Sequence, residues 1–125
     1  MKLRIKGNSI RLRLLRSEVD RLATGGSVSE STAFGPADVL RYTVKADANA
    51  NAVIAMFEYG EIVVRLPSDA AQKWASTDQV SIETVQPTGD DQVLEVLIEK
   101  DFVCLDRIDD PDRDEAYPNP NGPCS

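Results

Sequence analysis

The side chains best suited to chemistry in this sequence are arginines and lysines concentrated near its start. Six basic residues and no acid fall within residues 1–16, whereas the rest of the chain holds the other basic residues and all 21 acids. A curved sheet that gathered such cations inside it would bind phosphate or polyphosphate, because guanidinium and ammonium groups form charge-assisted hydrogen bonds with these anions. The candidates for this anion site are Arg4, Lys6, Arg11, Arg13, Arg41 and Lys45.

Two other interpretations of the same cations stay open. The basic residues would pair with acidic strands beside them, for example near Glu95 and Glu99, and so fix strand register. Exposed pairs of this kind contribute only ~0–1 kcal/mol each, so they would orient the strands more than they would stabilise the fold. The third interpretation is a mixed-charge surface for a partner protein.

Other catalytic chemistry has weak support. The chain has no histidine, which excludes Ser-His and Cys-His mechanisms and removes the commonest metal ligand. Glu95 and Glu99 lie about 13 Å apart along one strand, too far for the carboxylate pair of a glycosidase. Cys104 has apolar neighbours and predicts a buried thiol, while a disulfide or shared metal site with Cys124 stays open. We predict no metal and no cofactor.

The cationic cluster depends on a β-hairpin at the start of the chain. Residues 2–6 and residues 10–14 each alternate charged with apolar side chains, and Gly7-Asn8 between them tolerates the positive φ of a tight turn. The hairpin would turn its apolar side chains toward the core and its cations toward the opposite face.

The rest of the chain predicts about six more short strands and two short helices. The longest apolar run, residues 93–105, predicts a central strand, and the polar segment 27–34 predicts an edge strand. The helices are expected to begin with Ser17 as N-cap and at Pro67, and residues 87–90 predict a turn.

Together these elements predict an α+β domain of about eight strands, mainly antiparallel, in a strongly curved sheet or barrel. Most links have hairpin length, which disfavours parallel crossovers, and no internal repeat is evident. The single domain is expected to span residues 1–105. Residues 106–125 predict an acidic, Pro-rich tail packed on the domain, as an intramolecular cover or a dimer-swapped arm.

Composition restricts the cellular compartment and the binding partners that we expect. The net charge of −7 argues against nucleic acid as a partner, because phosphate binding draws on a net basic surface. No segment predicts a signal peptide or a membrane helix, and two cysteines without an export signal predict a cytoplasmic location. An unknown protein or a small anionic ligand is the expected partner, and a homodimer is an open alternative.

Several segments resemble a small bacterial domain-of-unknown-function family. The resemblance rests on the opening Met1-Lys2-Leu3-Arg4-Ile5-Lys6-Gly7-Asn8-Ser9-Ile10-Arg11-Leu12-Arg13-Leu14, followed by Ser17-Glu18-Val19, and on Glu99-Lys100-Asp101-Phe102-Val103-Cys104-Leu105 with Tyr117-Pro118-Asn119-Pro120 and Cys124. It implies no catalytic residues.

The chain also resembles, more loosely, the CYTH-like triphosphate-tunnel enzymes, which are antiparallel barrels lined with charged side chains. Their opening signature is Glu-x-Glu-x-Lys, and here the matching stretch is Lys2-x-Arg4-x-Lys6, without the metal-binding acids. The sequence therefore favours a non-enzymatic binding or regulatory module. The alternative is a phosphate-ester or polyphosphate-binding enzyme of this barrel type.

Overall fold

Residues 1–102 are the part of the chain that the structure, a computed structural model, describes. Eight strands and two helices occur there, as predicted. In chain order they are β1 (Lys2–Lys6), β2 (Ser9–Leu14), α1 (Arg16–Ala23), β3 (Ser27–Ala33), β4 (Val39–Asp47), β5 (Ile54–Glu58), β6 (Glu61–Pro67), α2 (Ser68–Ser76), β7 (Ser81–Gly89) and β8 (Gln92–Lys100). The predicted tail and both cysteines lie outside the described residues.

The strands form two separate four-stranded sheets. Sheet A has the order β1-β2-β8-β7, and sheet B has the order β3-β4-β6-β5. Each sheet is mixed, because its central pair, β2 with β8 or β4 with β6, is parallel. The α+β class is confirmed, and four of the six strand pairings are antiparallel, but the single strongly curved sheet or barrel is corrected to two mixed sheets, with no closed barrel in the described chain. Short links between consecutive strands do not exclude parallel pairing, because each parallel pair joins strands that are not consecutive in the sequence.

The two halves of residues 1–102 repeat one unit of hairpin, helix and hairpin. Each half gives one hairpin to sheet A and the other to sheet B. The registers correspond across the sheets: one row runs through Lys2, Arg13, Glu99 and Ser81, and the equivalent row runs through Ile54, Arg65, Lys45 and Ser27. This repeat is one of geometry only: equivalent positions mostly hold different residues, which is why no repeat is evident in the sequence.

One hydrophobic core lies between the sheets and the helices. Its fully buried side chains include Leu12 and Leu14 from sheet A and Val64 and Leu66 from sheet B, and Trp74 is the largest of them. Each contributes roughly 1.5–3 kcal/mol by leaving water. The Trp74 indole Nε1 donates a hydrogen bond to the Val80 carbonyl at 3.1 Å, so its polar atom is also satisfied.

The helices carry the chain from one sheet to the other and pack against each other. Helix α2 begins at Ser68, after Pro67, as predicted. Helix α1 begins two residues earlier than expected, with Leu15 instead of Ser17 as N-cap, so Ser17 lies in the first turn. There the Glu18 carboxylate accepts a hydrogen bond from the Leu15 backbone N–H at 2.8 Å, which replaces the expected serine cap.

Two strand predictions need correction at their ends, whereas the predicted first hairpin and the edge position of β3 are confirmed. Strand β8 is central in sheet A as predicted, but it ends at Lys100. Strand β7 continues through Pro87 to Gly89 with a register shift, and the turn falls on Asp90 and Asp91, which both have positive φ. Pro87 is tolerated because β7 is an edge strand.

Polar contacts at one corner join β1 to the rest of the fold. The Met1 ammonium lies 3.0 Å from Glu18 of α1 and 2.8 Å from Glu30 of β3. Burial would lower the pKa of this ammonium, but the hydrogen bonds and negative charges of Glu30 and Glu18 outweigh it and raise that pKa above its usual value.

Candidate functional site

The outer face of sheet A, which points away from the core, divides into a basic half and an acidic half. The register places Arg13 of β2 beside Glu99 of β8, and Lys2 of β1 lies on the other side of Arg13. This face, called face A below, carries Lys2, Arg4, Lys6, Ser9, Arg11, Arg13, Ser81, Glu83, Val85, Glu95, Leu97 and Glu99. The basic hairpin thus lies directly against an acidic strand.

Ion pairs with acids engage two of the predicted anion-binding cations, Arg11 and Arg13, and also Lys2 of the same hairpin. The Arg13 Nε donates a hydrogen bond to Glu99, whose side chain is only 17% exposed. The Arg11 Nε lies 3.8 Å from the same carboxylate, and the Lys2 Nζ lies 3.5 Å from Asp101. The hypothesis of pairing between the first hairpin and the acidic strands is confirmed.

Arg4 and Lys6 lie on face A, and each is already engaged in an interaction. A shallow trough of about 610 Å³ crosses the adjoining part of the sheet. The face A side chains that line it include Arg11, Glu83 and Glu95. Because one cation and two carboxylates line this trough, face A has no predominantly basic concavity there.

The other two predicted cations, Arg41 and Lys45, lie on a different surface. They belong to β4 and point to the outer face of sheet B, as their alternation with buried Val44 requires. This face, called face B below, carries Ser27, Ser29, Ser31, Ala33, Val39, Arg41, Thr43, Lys45, Asp47, Ile54, Met56, Glu58, Glu61, Val63 and Arg65. The six candidates therefore divide between two sheets and do not converge on one site. Whether either group binds an anion stays a prediction.

Face B contains a buried donor without an acceptor. In residues 1–102, the Arg65 Nε is shielded from solvent and has no hydrogen-bond partner, and the Arg65 Nη1 lies 3.9 Å from Asp47. Lys45 is directly beside Arg65 in the register. At the equivalent position of sheet A, Glu99 stands beside Arg13 and accepts its Nε–H. A lysine thus replaces the carboxylate that the repeated unit has elsewhere.

Neighbouring groups leave the other face B cations unpaired. Within the described part of the chain, neither Arg41 nor Lys45 has a hydrogen bond or ion pair through its side chain. Glu61, the register neighbour of Arg41, instead accepts a hydrogen bond from Thr43 at 2.7 Å, and Ser29 lies 2.8 Å from the same hydroxyl. Because Thr43 donates to Glu61, Ser29 donates to Thr43. This hydrogen-bond chain holds Glu61 toward Thr43.

Sequence reasoning missed Arg65. Its alternation with buried Val64 and Leu66 was visible and indicates an outward side chain. The sequence does not indicate that β6 lies beside β4. Only this pairing brings Arg65 next to Lys45.

Residues 1–102 hold no group of three or more histidine, cysteine, aspartate or glutamate side chains placed to bind a metal ion. Neither helix of residues 1–102 is both long and apolar enough to cross a membrane.

Comparison with known proteins identifies a family. A family model described as "Family of unknown function (DUF7009)" matches residues 1–121. No curated protein and no solved structure matches the chain. The family match confirms the resemblance to a domain-of-unknown-function family, whereas the CYTH-like resemblance is not confirmed.

Proposed function

We propose that this chain, which belongs to the DUF7009 family, is a non-enzymatic binding module that takes an acidic polypeptide segment on face B. The carboxylates of the segment would accept hydrogen bonds from Arg65, Lys45 and Arg41 and form ion pairs with them. The cytoplasmic location stays a prediction from the sequence.

The observation that carries the proposal is the difference between Arg65 and Arg13. A buried N–H without an acceptor costs about 1–3 kcal/mol, more when the group is charged. Arg13 avoids this cost through Glu99, but the Arg65 Nε has no such partner and stands beside a second cation, Lys45. An arriving carboxylate would satisfy the donor and reduce the repulsion between the two cations.

The negative charge of the whole chain does not oppose such binding at short range. At physiological ionic strength, charges separated by more than about 8 Å are largely screened. A carboxylate in contact with face B therefore interacts mainly with the cations beside it. The Asp47 carboxylate, 3.9 Å from Arg65, neutralises that cation only in part.

The apolar part of face B favours a polypeptide over a small anion. Ile54 is 48% exposed and Met56 is 41% exposed, and they flank Arg65 and Val63 on the adjoining strand. A free phosphate cannot bury these apolar side chains. A peptide would bury them with its own apolar residues, which contributes ~25 cal/mol per Å² of apolar surface removed from water.

The enzyme alternative has less support. A phosphate-ester or polyphosphate enzyme of CYTH-like type would need acids and a divalent ion beside the cations of β1 and β2. Glu99, a carboxylate next to those cations, is held by Arg13. No cluster of three acids suited to a metal ion occurs in residues 1–102.

Calorimetric titration of the full chain tests the proposal. The probes are short extended peptides in which glutamate alternates with valine or threonine, the same peptides with glutamine for glutamate, and inorganic phosphate. We expect saturable binding of a glutamate peptide at low salt and at least about tenfold weaker binding of its glutamine counterpart, as loss of roughly 1.4 kcal/mol would give.

A pair of charge-reversal variants locates the site. Lys45→Glu supplies Arg65 with its own carboxylate and should lower peptide affinity by about tenfold or more. Lys73→Glu makes the same charge change at an exposed position of α2 and should leave affinity nearly unchanged. Equal losses in the two variants, binding of phosphate in place of the peptide, or no saturable peptide binding would each overturn the proposal.

A further inference from the structure

We infer that the segment bound by face B carries three side chains in a fixed order: a carboxylate, an apolar group and a cation. This inference rests on the proposed function and specifies the class of ligand. It depends on three rows of face B side chains that follow one another along β6: a pair of cations at one end, an apolar pair in the middle and a pair of carboxylates at the other end.

The cation row is the site already described. Arg65 and Lys45 are register partners on β6 and β4, and the Arg65 Nε has no acceptor within residues 1–102. This row therefore takes the carboxylate of the segment.

The carboxylate row lies at the other end of β6. Glu61 and Glu58 are register partners on either side of the Tyr59-Gly60 turn, so their side chains project side by side on face B. Like charges directly opposite each other on antiparallel strands are unfavourable. Thr43 donates a hydrogen bond to Glu61, whereas Glu58 is exposed and has no hydrogen bond or ion pair through its side chain in the described chain. An arriving cation would reduce the repulsion between the two carboxylates.

The nearest cation of face B, Arg41, reduces this repulsion only in part. Arg41 lies beside Glu61 on the β4 side, whereas Glu58 lies on the β5 side. Within residues 1–102, Arg41 makes no ion pair with either carboxylate. Because β5 is an edge strand, Glu58 is open to a cation that a ligand brings.

The apolar row separates the two charged rows. Met56 and Val63 are register partners on face B, and Val63 lies between Arg65 and Glu61 along β6. Met56 is 41% exposed, and Val63 is half-buried. An apolar side chain of the ligand would remove both from water, which favours binding.

The spacing of the rows matches an extended polypeptide. Arg65, Val63 and Glu61 are alternate residues of β6, so each is roughly 6.6 Å from the next. Alternate residues of an extended ligand have the same spacing, so its positions i, i+2 and i+4 would lie over the three rows. A helix of so few residues is not stable alone in water. The ligand class is therefore an extended segment with an acidic, an aliphatic and a basic residue at alternate positions.

Calorimetric titration of the full chain with three short peptides, all with blocked ends, tests this order. The matched peptide is Glu-Thr-Val-Thr-Lys, the acidic peptide is Glu-Thr-Val-Thr-Glu, and the exchanged peptide is Glu-Thr-Lys-Thr-Val, which has the composition of the matched peptide. At low salt we expect the matched peptide to bind at least about fivefold tighter than the acidic peptide and about threefold tighter than the exchanged peptide, because each loses the ion pair with Glu58. Equal affinities would overturn the inference.

A charge reversal on each sheet locates the cation of the ligand. Glu58→Lys places a lysine opposite Glu61, which is a favourable pair for the fold, and it should invert the preference so that the acidic peptide binds tighter than the matched peptide. Glu83→Lys makes the same charge change on an edge strand of sheet A and should leave the preference unchanged. An unchanged preference in Glu58→Lys would contradict the inference.

Methyl resonances of the unmodified chain give a second measurement that needs no variant. The matched peptide should shift the resonances of Met56 and Val63 and leave those of Val85 and Leu97 on face A unchanged. Shifts at the face A methyl groups without shifts at Met56 and Val63 would place the peptide on the other sheet and overturn the inference.

The outcomes distinguish this inference from the proposed function. If Lys45→Glu weakens binding of the peptides while Glu58→Lys leaves their order of affinity unchanged, the inference is wrong and recognition by Arg65 and Lys45 stands. If no glutamate peptide binds, both fail. If the wild-type chain sediments as a dimer that Glu58→Lys dissociates, the occupant of face B is a second copy of the chain, which also overturns the inference.

Discussion

The side-chain amide of Gln86 holds both backbone groups of Ala55. Its Oε1 accepts a hydrogen bond from the Ala55 N–H at 2.9 Å, and its Nε2 donates to the Ala55 carbonyl at 2.8 Å. One side chain of sheet A thus takes the place of a neighbouring strand for part of β5 in sheet B. The contact joins the sheets at one corner, and the Met1 ammonium with Glu30 joins them at the opposite edge strands.

Replacing Gln86 by leucine should destabilise the fold by about 1–3 kcal/mol. The change removes two hydrogen bonds and leaves the Ala55 groups without that partner, and the cost of such groups exceeds the net value of a satisfied bond. Urea unfolding measures the effect, with Gln72→Leu on the exposed side of α2 as the control. A change within about 0.5 kcal/mol of that control would show that water replaces the Gln86 amide without loss.

Replacing Trp74 by phenylalanine should cost less than replacing it by alanine, yet still about 1–3 kcal/mol. Phenylalanine keeps most of the apolar volume but leaves the Val80 carbonyl without its indole donor. Alanine also opens a cavity between the helices and the sheets and should cost ~3–5 kcal/mol. Chemical unfolding of both variants checks this order. Equal costs would mean that the hydrogen bond, not the packing, dominates at this position.

The alternation of charge and hydrophobicity predicted the faces of the strands well. It placed the cations of the first hairpin opposite its apolar side chains, as the structure has them. This works because a half-buried strand must alternate with period two. On α2 the buried residues Ala71 and Trp74 are three positions apart, a spacing that puts both on one face of a helix.

Strand order could not be predicted, and the candidate site depends on strand order. Nothing local to Arg65 indicates that Lys45 lies beside it, since the two strands are joined through another hairpin strand. The repeat was hidden for a related reason: residues such as Glu99 and Lys45 occupy equivalent positions with opposite charges. Pairing between strands that are distant in the sequence depends on the packing of the whole core, so the residues near each strand do not indicate its partner.

The stability of the fold should fall as pH rises above about 8. The Met1 ammonium has its pKa raised in the folded state from the usual value of 8.0, by Glu30 and Glu18 acting against burial. A raised pKa means that the folded state holds the proton more tightly, so this stabilisation is complete below the unfolded pKa and is lost as pH rises through the folded pKa. Thermal unfolding between about pH 7 and pH 10 measures the effect.

An N-terminally acetylated chain is the control for the Met1 prediction, because it carries no titratable ammonium. It should be less stable than the free chain near neutral pH, and the difference should shrink at high pH. A constant difference across this range would contradict the assignment of the effect to the ammonium.

Exchanging the charges at the equivalent positions should move stability in opposite directions on the two sheets. Lys45→Glu gives the Arg65 guanidinium the neighbour that Arg13 has in Glu99, and it should stabilise the fold by up to about 1 kcal/mol, since Arg65 is partly exposed.

Glu99→Lys should destabilise by about 2–4 kcal/mol, because the Arg13 side chain is only 19% exposed and would face a second cation. Urea unfolding of both single variants and of the double variant measures these changes. Lys45 and Glu99 lie on different sheets with separate neighbours, so their effects should add to within about 0.5 kcal/mol. If Lys45→Glu destabilised the fold instead, the Arg65 Nε would already have an acceptor in solution, and the argument for an anion on face B would lose its basis.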